Sequence, residues 1–119
     1  MKRAPILALV AFALAFAASG CSSSKPDVTV QMVNYTYKPS VDVVVNQGNS
    51  VEFVNGTSTV HNITLLHGTH FSLDVPAGSK VTTTKLGALK PGTYFFRCRY
   101  HYLQGMVGVL TVQAKGSSS

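Results

Sequence analysis

The sequence lacks three features that define common classes of protein. Its longest apolar stretch, residues 4–18, falls short of the roughly 20 residues that a membrane-spanning helix needs. The basic residues of the folded part are scattered along the chain, whereas a nucleic-acid-binding surface concentrates them in a patch, so no nucleic-acid partner is expected. No helical periodicity of apolar residues follows residue 26, which excludes a helical bundle.

The N-terminal apolar stretch has the pattern of an export signal. Two basic residues precede it and small residues follow it, as in secretory signal peptides. It ends in AASGC, which resembles a bacterial lipobox, although Ala18 stands where leucine is usual. We predict that residues 1–20 are a lipoprotein signal peptide and that Cys21 then carries lipid. The alternatives are an uncleaved anchor, or plain secretion with Cys21 free or disulfide-bonded to Cys98.

The remaining chain divides into a short tether, one domain and a tail. Residues 21–27 (CSSSKPD) are typical of a flexible tether, and residues 115–119 (KGSSS) of a disordered tail. The folded domain is therefore predicted to span residues 28–114, with no internal repeat and no second domain. Eight basic and four acidic residues remain after residue 20, a net charge of +4. A mildly basic surface suits an acidic protein partner or an anionic membrane surface.

Short segments of alternating apolar and polar residues, separated by turn residues, fill this domain. About eight such segments predict an all-β fold, a Greek-key β-sandwich or barrel. Pro91 and Gly92 suggest a type II turn with positive φ at the glycine. On the strand after this turn, Tyr94, Phe96 and Cys98 share one face, which we predict to be the inward face.

Sulfur and imidazole side chains are concentrated near the C-terminus. Cys98, His101 and Met106 lie within CRYHYLQGM, and this mixture of thiolate, imidazole and thioether suits copper better than calcium or magnesium. A trigonal copper site needs a second imidazole, and His61 is the best candidate because it opens a different strand segment. Met106 would then be a long axial ligand of one copper ion. Taken singly, each residue has an ordinary explanation as a surface histidine, a core methionine or a buried thiol, and zinc is a weaker option.

These segments resemble the small blue (type 1) copper proteins, the cupredoxins, and most of all their plastocyanin branch. HN opening a strand and the later GTYFFRCRYHYLQGM carry the resemblance, with four ligand positions in the family's order. It implies a β-sandwich that shuttles single electrons, with His61, Cys98, His101 and Met106 as copper ligands. It also implies that Asn62 ties the two ligand segments together.

Three positions depart from the family's pattern. Arg99 stands directly after the cysteine, where serine or threonine is usual. Tyr100 replaces a proline two residues after the cysteine, and its N–H is predicted to hydrogen-bond to the sulfur and raise the reduction potential. Arg97 replaces an aromatic residue before the cysteine, so the second docking site of plastocyanins is not expected.

The predicted ligand set indicates electron transfer outside the cytoplasm. Four protein ligands leave no open position for substrate, so we expect no enzyme activity. Tyr102 and Leu103 flank His101 and would form an apolar docking patch for a transient redox partner, unless they fold inward. We expect a monomer, lipid-anchored to a bacterial membrane at its periplasmic face or on the cell surface. The alternatives are a copper chaperone or buffer, and a copper enzyme with an additional catalytic ion.

A second pair of histidines lies outside this ligand set. His67 and His70 flank Gly68 and Thr69, which we predict to form a two-residue hairpin turn. The two imidazoles would then face each other across the hairpin, as a weak second metal site or a pH sensor. Most exposed histidine pairs are neither.

Overall fold

The computed structural model describes residues 25–116, and this part of the chain is almost entirely β-structure. Nine strands form two sheets. They are β1 (Val28–Val33), β2 (Thr36–Lys38), β3 (Val43–Asn46), β4 (Val51–Asn55), β5 (His61–Leu65), β6 (Ser72–Val75), β7 (Lys80–Thr83), β8 (Gly92–Arg97) and β9 (Val107–Gln113). Two single-turn 3₁₀ helices, Leu86–Ala88 and Tyr102–Gln104, complete the secondary structure of these residues. The predicted all-β sandwich is confirmed.

The predicted signal peptide (residues 1–20), Cys21 and most of the predicted tether and tail lie outside the described residues. Between residues 25 and 116, neither helix has the length and apolar character needed to cross a membrane.

The two sheets have mixed strand directions. One has the order β2-β1-β4-β7 and the other the order β3-β9-β8-β5-β6. The pairs β1–β4 and β3–β9 are parallel, and all other pairs are antiparallel. The five-stranded sheet contains both β5, which begins at His61, and β8, which ends directly before Cys98.

The inward face of β8 follows the alternation of the sequence. Tyr94, Phe96 and Cys98 are buried, whereas Phe95 between them is half exposed, so the predicted inward set is confirmed. Facing residues from both sheets complete the core around them. The largest fully buried side chains include those of Tyr37, Phe53, Met32, Ile63, Leu86, Met106 and Leu110. Successive strand residues face opposite sides of a sheet. Burial of Tyr94 and Phe96 therefore goes with an inward-facing Cys98 at the end of β8.

The region before Pro39 differs from the sequence pattern. The alternation predicts one strand through Tyr35, but the chain reverses at Asn34, whose φ is 53°, and continues as β2 antiparallel to β1. Asparagine tolerates this left-handed conformation better than most residues. The reversal places Tyr35 in an exposed turn at the edge of the sandwich.

The predicted type II turn at Pro91 and Gly92 is wrong. Gly92 does not adopt positive φ but opens β8, where it pairs with Val112 of β9. This ladder position requires extended backbone. The preceding segment is held by the Tyr94 hydroxyl, which donates to the carbonyl of Lys90 at 2.6 Å.

Candidate metal centre

Three of the predicted ligands, Cys98, His101 and Met106, belong to one loop whose ends are joined by a backbone hydrogen bond. Cys98 directly follows β8, and its N–H donates to the carbonyl of Met106 at 3.0 Å. The His101 N–H donates back to the Cys98 carbonyl at 3.2 Å, and the Met106 N–H to the His101 carbonyl at 3.3 Å. These bonds gather the three side chains at one end of the sandwich.

The fourth predicted ligand comes from another strand. His61 is the first residue of β5, which pairs with β8 in the same sheet. Its Nδ1 lies 3.2 Å from the Nδ1 of His101, which in turn lies 3.4 Å from the Sγ of Cys98. The donor atoms of these three residues all lie within 4.8 Å of one another. Met106 is fully buried beside them, and the four residues are positioned as in a type 1 copper site.

The donor geometry fits a single metal ion. Metal–nitrogen distances near 2.0–2.1 Å and metal–sulfur distances near 2.3 Å place the donors of one ion about 3–4 Å apart. Burial, and then the nearby His101, lower the pKa of His61, which favours the neutral imidazole that binds metals. Two imidazole nitrogens with a thiolate and a thioether are a donor set that prefers copper.

Asn62 connects the two ligand-bearing segments. Its side chain is fully buried, and its Oδ1 accepts the backbone N–H of Arg99 at 3.3 Å, one residue after Cys98. Its Nδ2 donates to Asp74 at 2.7 Å and to Ser72 at 3.1 Å. The buried hydroxyl of Tyr37 donates to its backbone carbonyl. Asn62 therefore has hydrogen bonds on all sides, and one of them reaches the ligand loop.

The surface around His101 is aromatic. The ring of Tyr35 packs on the imidazole with centroids 4.9 Å apart. Tyr102 is 40% exposed and Leu103 86% exposed, so the alternative in which these two residues fold inward is wrong. The guanidinium of Arg97 lies 4.1 Å from the centroid of the Tyr102 ring.

Sequence reasoning did not find the contact of Tyr35 with His101, nor the contacts of Asp74. No motif marks either residue. Tyr35 reaches the site only because the chain reverses at Asn34. Asp74 reaches it only through the register of β6 against β5.

The predicted hairpin between His67 and His70 is wrong. The β5–β6 ladder ends at Thr64 and Ser72, and its register does not place the two histidines opposite each other. The Nε2 of His67 instead accepts the N–H of Phe95 at 3.2 Å. Among residues 25–116, the cluster of three or more metal-ligating groups contains neither His67 nor His70.

The predicted bond from the Tyr100 N–H to the sulfur is also not formed. Within the described part of the chain, the hydrogen-bond partner of Cys98 Sγ is His101, and Tyr100 uses its hydroxyl to reach Asp74.

Comparison with known proteins identifies the family. Residues 6–112 match the cupredoxin-like domain, so the chain belongs to the cupredoxin-like family. Plastocyanin from Prochlorothrix hollandica is 31% identical over 127 residues, covering 92% of each chain. A purple cupredoxin from Nitrosopumilus maritimus superimposes with a TM-score of 0.58 at 23% identity, over 73% of this chain and 100% of that one. A copper-containing nitrite reductase from Thermus scotoductus gives 0.60 at 27% identity, over 72% of this chain and 22% of the enzyme.

These similarities define a plastocyanin-like cupredoxin, as the ligand pattern predicted. The family binds one copper ion, which confirms the predicted cofactor. The family also implies a blue copper electron carrier.

Proposed function

We propose that this chain carries single electrons through one copper ion held by His61, Cys98, His101 and Met106. The observation that carries the proposal is the convergence of two imidazole Nδ1 atoms and a thiol within 4.8 Å at the end of a packed sandwich. One donor comes from the start of β5 and the others from the loop after β8. The fold, rather than the metal, therefore sets the donor geometry.

Rigid donors suit electron transfer. Cu(I) favours few, soft ligands, whereas Cu(II) favours nitrogen ligands in a tetragonal arrangement. A fixed plane of one thiolate and two imidazoles, with a distant thioether, is intermediate between these two preferences. Cys98, Met106 and His61 are each at most 1% exposed, so neighbouring side chains resist their movement. Little needs to rearrange when an electron arrives.

Burial of the donors also argues against the alternative functions. A copper chaperone or buffer needs accessible, labile ligands, whereas three of these four are sealed in the core. Four protein donors leave no open position for a substrate. Plastocyanin-like homologues are electron carriers rather than enzymes, although cupredoxin domains also occur within enzymes such as the nitrite reductase.

The absorption spectrum of the copper-loaded, oxidised protein tests the proposal. We expect an intense visible band that disappears on one-electron reduction, returns on reoxidation, and persists during slow copper loss to a chelator. A colourless copper complex would contradict a type 1 site, and rapid copper exchange would favour copper handling.

We further propose that Tyr102 and Leu103 form the docking patch for a transient redox partner. Both are exposed next to His101, whose ring is the partly exposed side of the site. Arg97 lies against Tyr102, and the chain after residue 20 has eight basic and four acidic residues, a net charge of +4, so an acidic protein surface complements this end. The protein is expected to act as a monomer.

Replacing Leu103 with aspartate is expected to slow electron exchange with an acidic cytochrome by roughly 10-fold at low salt, because it adds repulsion at the patch centre. Stopped-flow mixing at several salt concentrations measures this rate. Leu66→Asp, at an exposed leucine on the face of the five-stranded sheet, is the matched control. Equal rates for the two variants would place docking elsewhere.

We propose that the protein acts outside the cytoplasmic membrane from a lipid on Cys21, at the periplasmic face or on the cell surface. The support is the AASGC sequence after an export-type apolar segment. Residues 22–27 would tether the sandwich to the membrane.

Cys21→Ser is expected to move the protein from the membrane fraction to the soluble fraction, with the visible spectrum unchanged. Fractionation followed by mass spectrometry of the N-terminal peptide measures both location and lipid. Retention of the serine variant in the membrane fraction would contradict lipid anchoring.

A further inference from the structure

Asp74 contacts both ligand-bearing segments with a single carboxylate. It lies opposite Asn62 in the β5–β6 ladder, and its Oδ1 accepts the Asn62 Nδ2 at 2.7 Å. Its Oδ2 accepts the hydroxyl of Tyr100 at 2.8 Å. Asn62 directly follows His61, and Tyr100 directly precedes His101. The two oxygens therefore bridge the neighbours of two candidate ligands.

The carboxylate helps to orient the Asn62 amide, together with the two donors at the amide oxygen, the Arg99 N–H and the Thr64 hydroxyl. An ionised carboxylate only accepts hydrogen bonds, so the NH₂ end of Asn62 must face Asp74. The oxygen end then faces the backbone N–H of Arg99, which it accepts at 3.3 Å. The hydrogen bond from Tyr100 is the main cause that lowers the pKa of Asp74, which keeps the carboxylate ionised at neutral pH.

The ion pair at this position is the weaker part of the cluster. Arg99 lies 3.7 Å from Asp74, and their side chains are 55% and 46% exposed, so solvent screens the pair. The bond to Asn62 is different because the amide is fully buried and its acceptor is charged. Tyr100 is held from both sides, since Arg99 donates to its hydroxyl at 2.7 Å and the hydroxyl donates to Asp74.

We propose that Asp74 is a positioning residue of the metal centre, bracing the Cys98–His101 loop against the strand that carries His61. This inference rests on the proposed copper site. The brace acts through Asn62 and Tyr100, and Asp74 itself does not bind the metal. Without it, the Asn62 amide loses its charged acceptor, the Tyr100 hydroxyl loses its carboxylate partner, and the loop can shift away from β5. Copper retention and the electronic structure of the site would then both change.

Asp74→Ala is expected to accelerate copper loss to a chelator about 10-fold, as is typical when an outer partner of a metal ligand is removed. The visible band of the oxidised protein is expected to change in position or relative intensity. Tyr100→Phe removes one arm of the brace and is expected to accelerate loss about 3-fold. In a protein that already carries Asp74→Ala, Tyr100→Phe is expected to cause no further acceleration of copper loss, because the Tyr100 hydroxyl acts through the Asp74 carboxylate.

Glu52→Ala is the matched control, since it removes one partly exposed carboxylate from the other sheet. It is expected to leave both retention and spectrum unchanged. If Asp74→Ala behaves like Glu52→Ala in both measurements, the brace is refuted. If Asp74→Ala does not fold, Tyr100→Phe decides, and wild-type retention and spectrum in that variant refute the brace. A colourless wild-type protein would contradict the proposed function as well, whereas a blue wild type with unchanged variants contradicts the brace alone.

Discussion

Replacing Cys98 with serine is expected to abolish the visible absorption band of the copper-loaded protein. The band requires charge transfer from a thiolate to the metal, and a serine hydroxyl is a hard, poorly ionised donor that copper binds weakly. Loss of a residue that only hydrogen-bonds to a metal ligand typically lowers metal affinity by roughly 10–100-fold. Loss of a ligand itself is therefore expected to lower copper affinity by more than roughly 100-fold. Absorption spectroscopy and a chelator competition measure the two effects.

Cys21→Ser is the matched control, because the chain has two cysteines. It is expected to keep the full band, and circular dichroism of each apoprotein checks that the sandwich still folds. A Cys98→Ser variant that stays blue, or a Cys21→Ser variant that becomes colourless, would show that the ligand assignment is wrong.

The second large effect is expected from Gly87→Ala, which should destabilise the fold by about 3 kcal/mol. A Cβ at Gly87 would lie 2.3 Å from the backbone oxygen of Asn49 and 2.9 Å from its nitrogen. Neither atom can rotate away, because the Gly48 N–H bonds the Gly87 carbonyl at 3.0 Å and the Asn49 N–H bonds the Asn46 carbonyl at 2.9 Å. In a domain of this size, the loss corresponds to a fall in Tm of more than roughly 10 °C.

Gly56→Ala is the matched control for this substitution. A Cβ there meets nothing within 4 Å, and the glycine does not adopt positive φ. Its effect is expected to stay within about 0.5 kcal/mol, because an added methyl group without a clash mainly restricts the unfolded chain. Urea unfolding of both apoproteins measures the difference, and equal midpoints would contradict the packing of the Leu86–Ala88 turn against Asn49.

The strands of the sandwich were largely predictable from local pattern. The alternation along β8 predicts its buried face, because a strand with one face in the core must alternate. β2 was not predicted, since the alternation predicts one strand through Tyr35. The chain reverses at the left-handed Asn34, which pairs Met32 with Tyr37. The loop between β5 and β6 was mispredicted for a related reason: a glycine marks a turn, but the strand register fixes the loop length.

The candidate site was predictable in its chemistry and only partly in its surroundings. Residue types and spacing named Cys98, His101 and Met106, and the family resemblance implied Asn62 beside them. The sequence also predicted Tyr102 and Leu103 as an apolar surface patch, and both are exposed. The packing of Tyr35 on His101 and the contacts of Asp74 had no counterpart in the sequence.

By itself, the sequence determined the donor set and the short loop that presents it. Seven residues lie between Cys98 and Met106, and hydrogen bonds within this short segment close the loop. Only the tertiary structure decided what meets the loop. His61, Tyr35 and Asp74 reach it from more than 20 residues away, and strand register determines such long-range contacts whereas local alternation does not.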